Sequence, residues 1–251
     1  MKNNHFSLFL KTKTFVCLIF STYTLLAQDP LTDGTHYTIQ NKESNKVIDV
    51  SGNSQVAGAA IWQYDMNLTN AQKFTFVDAG NGYYYILTNS NLYVTLKYNE
   101  PPKTTDKSTI SKVGNSYTLM QAPQYTSTSA ICKTSVAPSA LCPNKQKWKL
   151  VSIENNNKTF LIQSIAVPNQ VLQPVNSNSS VSIVLSNQNG SQSQKWLINK
   201  SECLIIQKEI DSNDAFIKSL QLNKPPGYAT QVATLQKKNK ELLQRLKDLK
   251  C

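Results

Sequence analysis

The residues best placed to do chemistry lie in one short stretch, 47–64, which reads VIDVSGNSQVAGAAIWQY. Asp49 sits near the end of one strand-like run, and Trp62 and Tyr64 end the next. Side chains alternate along a strand, so Trp62 and Tyr64 share one face while Ile61 and Gln63 share the other. With Ile61 turned to a core, both rings lie outside, beside the turn that begins at Asp49. An ionised carboxylate accepts hydrogen bonds from two adjacent hydroxyls, and an aromatic ring stacks on the apolar face of a sugar. A second reading stays open, in which Asp49 is a turn residue whose carboxylate accepts backbone N–H groups.

Other chemistries find little support. The first residues, MKNNHFSLFLKTKTFVCLIFSTYTLLAQDP, combine Lys2, Lys11 and Lys13 with an apolar run from Thr14 to Leu26 and a small residue, Ala27. That is the layout of a signal peptide over 1–27, so a secreted chain is expected. The run is well short of the roughly 20 apolar residues a spanning helix needs, and no other stretch qualifies, so no membrane span is expected. Removal of 1–27 takes His5 with it and leaves His36 as the one imidazole. No G-x-S-x-G, H-E-x-x-H, phosphate-binding or dinucleotide fingerprint occurs, so neither an enzyme nor a cofactor is expected. Without a C-x-x-C pair, no metal site is expected either. Cys17 also leaves, and an even set remains: Cys132, Cys142, Cys203 and Cys251, which suits two disulfides in an exported chain. The net charge of +11 comes partly from the signal peptide and partly from the C-terminal lysines. No recognition helix accompanies it, so nucleic acid is not an expected partner.

The elements that must position Asp49 are short strands. YTIQN, KVIDV, YYYILT, LYVTL, FLIQSI and SIVLS are separated by Asn, Ser and Gly turns, which points to an all-β barrel or sandwich. YTIQNKESNKVIDV at 37–50 resembles FLIQSIAVPNQVLQPV at 160–175 and, more faintly, YYILTNSNLYVTL at 84–96. Each unit closes with Gln-x-aromatic: Gln72-Lys73-Phe74, Gln146-Lys147-Trp148 and Gln194-Lys195-Trp196. On these motifs the chain resembles the ricin B-type lectin family, whose domain is a β-trefoil of three repeats each ending in Q-x-W. The resemblance covers about 35–200. It is strongest in GAAIWQYDMNLTNAQKF, and the middle repeat carries an insertion of some thirty residues, NEPPKTTDKSTISKVGNSYTLMQAPQY and beyond. Cys132 and Cys142 would close a short loop in that insertion. The aromatics Phe74, Trp148 and Trp196 are read as packing the barrel bottom.

The resemblance implies one sugar site at most. It gives Asp49 the hydroxyl-binding role and Tyr64 the stacking role, puts further polar contacts near Trp62 and Asn67, and makes Gln72 the residue that holds the carboxylate. The family's Asn before the Q-x-W glutamine is Ala71 here, so Asn67 or Asn70 would have to substitute. The second repeat has Thr95 at the Asp position, Pro138 near the aromatic position and Lys145 before Gln146; the third has Gln173, Ser186 and Ser193. Neither offers a carboxylate facing a ring. The partners implied are glycans or glycoconjugates. A lectin-like fold that has lost sugar binding and serves as a structural or protein-interaction module is the alternative.

From Ser201 to Cys251 the texture becomes helical, with a Pro-Pro-Gly breaker between two amphipathic segments. The second has Val232, Asn239 and Leu246 at one heptad position and Leu235, Leu242 and Leu249 at another, a coiled-coil pattern compatible with self-association. A hairpin accounts for more: it brings Cys203 to Cys251, Ile210 towards Leu243, Ile217 towards Leu235, and an acidic helix against a basic one.

Overall fold

The computed structural model describes residues 31, 34–99, 116–126, 142–154 and 158–251. Residues 1–27, where the signal peptide is expected, Cys132 and Pro138 lie outside the described residues. Twelve strands are described: β1 (Tyr37–Asn41), β2 (Val47–Val50), β3 (Ala60–Tyr64), β4 (Phe74–Asp78), β5 (Tyr84–Thr88), β6 (Tyr93–Asn99), β7 (Ser116–Ala122), β8 (Lys147–Ser152), β9 (Thr159–Ser164), β10 (Gln170–Pro174), β11 (Val181–Asn187) and β12 (Trp196–Lys200). Two helices follow, α1 (Ser201–Asn223) and α2 (Tyr228–Asp248).

The pairing identifies the architecture without outside help. β1 pairs with β12, β12 with β9, β9 with β8, β8 with β5, β5 with β4 and β4 with β1, all antiparallel, which closes a six-stranded barrel. The other six strands form three hairpins, β2–β3, β6–β7 and β10–β11. Their inner strands meet pairwise, β3 with β7, β7 with β11 and β11 with β3, as a triangular cap. Barrel plus three-hairpin cap is a β-trefoil, with repeats β1–β4, β5–β8 and β9–β12.

Threefold equivalence reaches individual side chains. Ile39, Ile86 and Ile162 sit mid-strand in β1, β5 and β9, and Phe74, Trp148 and Trp196 lie first, second and first in β4, β8 and β12; all six are buried in one core. The Trp148 indole N–H donates to the carbonyl of Val94 at 3.2 Å and that of Trp196 to the carbonyl of Leu172 at 3.0 Å. Between the first two strands of each repeat the chain turns through an asparagine at positive φ: Asn45 (57°), Asn91 (57°) and Asn169 (64°). Asparagine is among the few non-glycine residues that tolerate this region.

The middle repeat departs from the expected layout. SYTLMQA, assigned by sequence to the insertion, is β7, paired with β6 over seven residues from Tyr93–Ala122 to Asn99–Ser116. The extra residues therefore flank a regular strand. Cys142 is disulfide-bonded and buried against Ala122 and Tyr125. Cys203 and Cys251 bond to each other, so the partner of Cys142 lies outside the described residues.

Helices α1 and α2 form an antiparallel hairpin. Gly227 stands at φ 74° just before α2, a conformation that costs glycine little. Ile217, Leu220 and Val232 pack together with Leu235 alongside, whereas Leu243 is exposed rather than shielded by Ile210. Asn239 is buried within the hairpin, accepting from Asn213 Nδ2 at 2.7 Å and donating to Asp214 Oδ1 at 2.8 Å. Ion pairs Glu209–Lys238 and Glu202–Arg245 cross between the helices. Cys203–Cys251 ties the open end at a Cα–Cα distance of 5.8 Å. Among the described residues no helix is long and apolar enough to cross a membrane.

Candidate functional site

Asp49 is placed by the β2–β3 hairpin. Cross-strand register sets Asp49 opposite Trp62 and Val47 opposite Tyr64, so the carboxylate and both rings share one face of the ribbon. Ile61 and Gln63 are buried on the other, while Trp62 and Tyr64 are half-buried. The two rings are near parallel, at 17° and 6.3 Å between centroids. Asp49 is followed by a 3-10 turn, Ser51–Asn53, in which Gly52 takes φ 64° and turns the chain away from the carboxylate.

Asp49 is not the exposed pocket carboxylate the sequence suggested; it is 5% exposed. Nor does any backbone N–H among the described contacts cap it. Side chains hold it instead: Trp62 Nε1 donates to Oδ1 at 3.0 Å, and Gln72 Nε2 donates to Oδ2 at 2.9 Å. Each oxygen keeps one lone-pair direction for a further donor. Burial raises the Asp49 pKa above its ordinary value, against the opposing pull of the bonds from Gln72 and Trp62.

Gln72 is fully committed. Its amide donates to Asp49 and to the Asp65 carbonyl at 2.8 Å, and its oxygen accepts the backbone N–H groups of Asn67 at 2.8 Å and Leu68 at 3.0 Å. Asn67 is exposed, and its side-chain oxygen accepts from the backbone N–H and hydroxyl of Thr69. Asn70 Oδ1 accepts from Lys73 Nζ at 3.0 Å. What either asparagine can offer a ligand in place of the missing Ala71 amide is therefore its Nδ2 group. Asp65, next to Tyr64, accepts from Lys46 Nζ at 2.5 Å and from the Ser179 hydroxyl, and these bonds hold its pKa below the ordinary carboxylate value.

The same glutamine wiring recurs in the other repeats. Gln146 donates to Thr95 Oγ1 at 2.9 Å and to the Pro123 carbonyl at 2.7 Å; Gln194 donates to Gln173 Oε1 at 3.0 Å and to the Asn187 carbonyl at 2.8 Å. Thr95 and Gln173 thus stand where Asp49 stands, and neither is an acid. Carrying the register on from Asp65, Pro123 and Asn187, the position of Tyr64 falls to Ala122 in the second repeat and Ser186 in the third. The second repeat's aromatic position is therefore Ala122 rather than Pro138. Met120, Ala122, Tyr125 and Cys142 form an apolar cluster of their own beside Thr95.

Sequence reasoning missed the role of Trp62 as the donor that fixes Asp49. Hairpin register held the signal, since a residue directly opposite is the nearest cross-strand neighbour. Two cavities, of about 280 and 380 Å³, are lined by Phe216, Thr230, Gln231, Thr234 and Leu235 and by residues near Ser201; neither includes the Asp49 cluster. No group of three or more His, Cys, Asp or Glu residues that could hold a metal occurs among the described residues.

No curated protein matches the chain. Among solved structures it is similar to the designed threefold-symmetric protein ThreeFoil, at 19% identity over 65% of this chain and 96% of that one, with a TM-score of 0.47. It is similar to the Macrolepiota procera ricin B-like lectin solved with lactose, at 17% identity over 67% and 97%, with a TM-score of 0.48. A third is the exo-β-1,3-galactanase 1,3Gal43A of Clostridium thermocellum, at 21% identity over 67% of this chain but only 30% of the enzyme, with a TM-score of 0.49. The family model described as ricin-type beta-trefoil lectin domain-like matches residues 22–109, a segment that contains the whole first repeat.

Proposed function

We propose that this chain is a secreted, non-catalytic carbohydrate-binding protein with one sugar site, built from Asp49, Trp62, Tyr64, Asn67 and Gln72 in the first repeat. Asp49 accepts two hydroxyls of a sugar ring on the lone pairs that Trp62 and Gln72 leave open. Tyr64 stacks on the sugar's apolar face, Asn67 donates from its amide, and Gln72 keeps the carboxylate in place. One observation carries this reading. The trefoil needs only a hydrogen-bond acceptor for each glutamine, and Thr95 and Gln173 supply it without charge. A buried carboxylate is a costlier acceptor than either, and it lies on the face of the ribbon that carries two rings.

A glycan array probed with the purified protein, beside Asp49→Asn and Tyr64→Ala, tests the site. Binding by the parent that both variants lose supports it; binding that both retain overturns it. Protein recovered from culture medium should begin at Gln28 if 1–27 is removed.

A second reading, an interaction module without sugar binding, is favoured by Ala71 and by the low exposure of Asp49. It predicts that no glycan on the array is retained by the parent.

A further inference from the structure

The helical hairpin has no part in the sugar site, yet its charge and apolar surface are arranged along its length. Its base is fixed to the trefoil. α1 starts directly from β12, with the Ser201 N–H donating to the His36 carbonyl at 2.8 Å and the Ser201 hydroxyl bonded to that of Thr38 at 2.9 Å. Lys200 Nζ donates to the Leu249 carbonyl at 2.7 Å and Lys158 Nζ to the Cys251 carbonyl, beside the Cys203–Cys251 bridge. Acidic residues are confined to this basal part: Glu202, Glu209, Asp211 and Asp214 on α1, Glu241 and Asp248 on α2.

The far end is different. From Ala215 to Lys240 there is no Asp or Glu, while Lys218, Lys224, Lys237, Lys238 and Lys240 lie in the same span. Only Lys238 has an acidic partner among the described ion pairs. In the same region Leu222, three residues before Pro225, is 83% exposed, and Phe216, further back along α1, is 52% exposed. A partner helix laid along one side would not cover both side chains, because six residues place them about 120° apart round α1. Their axial separation is about 9 Å, so a surface met by the free end reaches Leu222 within the roughly 5–10 Å over which an interfacial element buries apolar groups, with Phe216 nearer the headgroups.

We propose that the free end of this hairpin is a docking tip for an anionic phospholipid surface, entered end-on. Leu222 enters the headgroup–acyl boundary and Phe216 lies at headgroup depth above it, while Lys218 and Lys224 extend their stems back to lipid phosphates and carboxylates, with Lys237 and Lys240 adding to the field behind them. The tip lies outside the Asp49 site, so this inference does not depend on sugar binding.

The test is co-sedimentation of the full chain with sugar-free vesicles of phosphatidylcholine, with and without phosphatidylserine. The parent should bind the phosphatidylserine vesicles, less as salt is raised, and bind pure phosphatidylcholine much less. Phe216→Ser with Leu222→Ser should weaken binding by about tenfold or more, as lost apolar burial implies. Lys218→Gln with Lys224→Gln should weaken it by about fivefold per lysine. All four side chains are exposed, so the variants should keep the parent's melting temperature. Parent-like binding by both double variants overturns the proposal, as does failure of the parent to bind phosphatidylserine. A vesicle-independent dimer abolished by Phe216→Ser with Leu222→Ser, or capture of an acidic helical peptide in preference to vesicles, would likewise reject the lipid surface as occupant.

Discussion

Replacing Asp49 by Asn keeps the shape of the side chain and removes its charge and one acceptor. Trp62 and Gln72 each present an N–H to a different oxygen, at 3.0 and 2.9 Å. An asparagine can satisfy only one of them. The Gln72 bond is the more buried, so the amide oxygen should turn to Gln72 and the amide nitrogen should face the Trp62 N–H. One charge-assisted bond becomes neutral and one is lost, while the desolvation cost of the buried carboxylate disappears. The balance is a loss of about 1–3 kcal/mol. For a folded unit of this size, that is a fall of roughly 2–12 °C in melting temperature. Asp49→Thr is the companion experiment, because the second repeat already carries that solution. Thr95 accepts from Gln146 and donates its hydroxyl to the Tyr93 carbonyl at 2.8 Å. Threonine at 49 should keep Gln72 paired and leave the half-exposed Trp62 N–H to water, at a cost below about 1 kcal/mol. Differential scanning calorimetry and a glycan-binding assay well below both melting transitions read the outcome. Loss of binding in both variants, with a large stability loss only in Asp49→Asn, is the expected pattern. Sugar binding by Asp49→Thr at the parent's strength would refute the argument, since that variant keeps the fold's wiring and removes only the carboxylate.

Binding should weaken on acidification from a pH above that at which a free aspartate protonates, because burial raises the Asp49 pKa; isothermal titration across pH 3.5–7 reads it, and an unchanged affinity would remove Asp49 from the ligand contact. The same shift fixes a sign for stability. A raised carboxylate pKa means the folded state gains on the unfolded one as pH falls through the folded pKa towards that of a free aspartate, so the gap between parent and Asp49→Asn should widen in that window. Trp196→Phe leaves the Leu172 carbonyl without its donor and should cost about 1–3 kcal/mol, seen as a lower urea midpoint at unchanged slope. Cys203→Ser with Cys251→Ser removes a bridge spanning 48 residues, worth about 4 kcal/mol on the chain-entropy model. Hydrogen exchange in α2 should then rise well above that in β1, and protection of α2 equal to the parent's would mean that the contacts of Lys158, Lys200 and Ser201 hold the hairpin without the bridge.

The repeats were legible because a trefoil writes its wiring locally. Each closing glutamine, each buried aromatic two residues later and each asparagine turn recurs at a fixed place relative to its own strands, and these are short-range demands of hydrogen bonding and backbone conformation. The middle repeat was legible only in part. Gln72 and Asp49 are 23 residues apart and Gln194 and Gln173 are 21, but Gln146 and Thr95 are 51. Spacing alone cannot say which of the extra residues remain strand. β7 was missed because the extra residues separate it from β6, its main partner, and its other partner, β3, comes from another repeat. The burial of Asp49 was illegible for a related reason. Alternation along β2 and β3 gave the shared face correctly, but how far Trp62 folds over the carboxylate depends on rotamers and on the Gln72 amide arriving from the following turn.

Taken together, the three equivalent positions separate what the fold requires from what a ligand would require. All three glutamines donate to a carbonyl at the end of the third strand and to one side chain on the second, and a hydroxyl, an amide oxygen and a carboxylate serve equally as that acceptor. The first repeat alone adds a second donor, Trp62, and keeps a ring at the next outward position. The second repeat places Ala122 there and seals the neighbourhood with Tyr125 and Cys142; the third places Ser186. A carboxylate held by two side chains, on the face of the ribbon that carries two aromatic rings, exceeds the needs of packing. The excess is confined to one repeat, and it is the kind that a polyhydroxylated ligand would use.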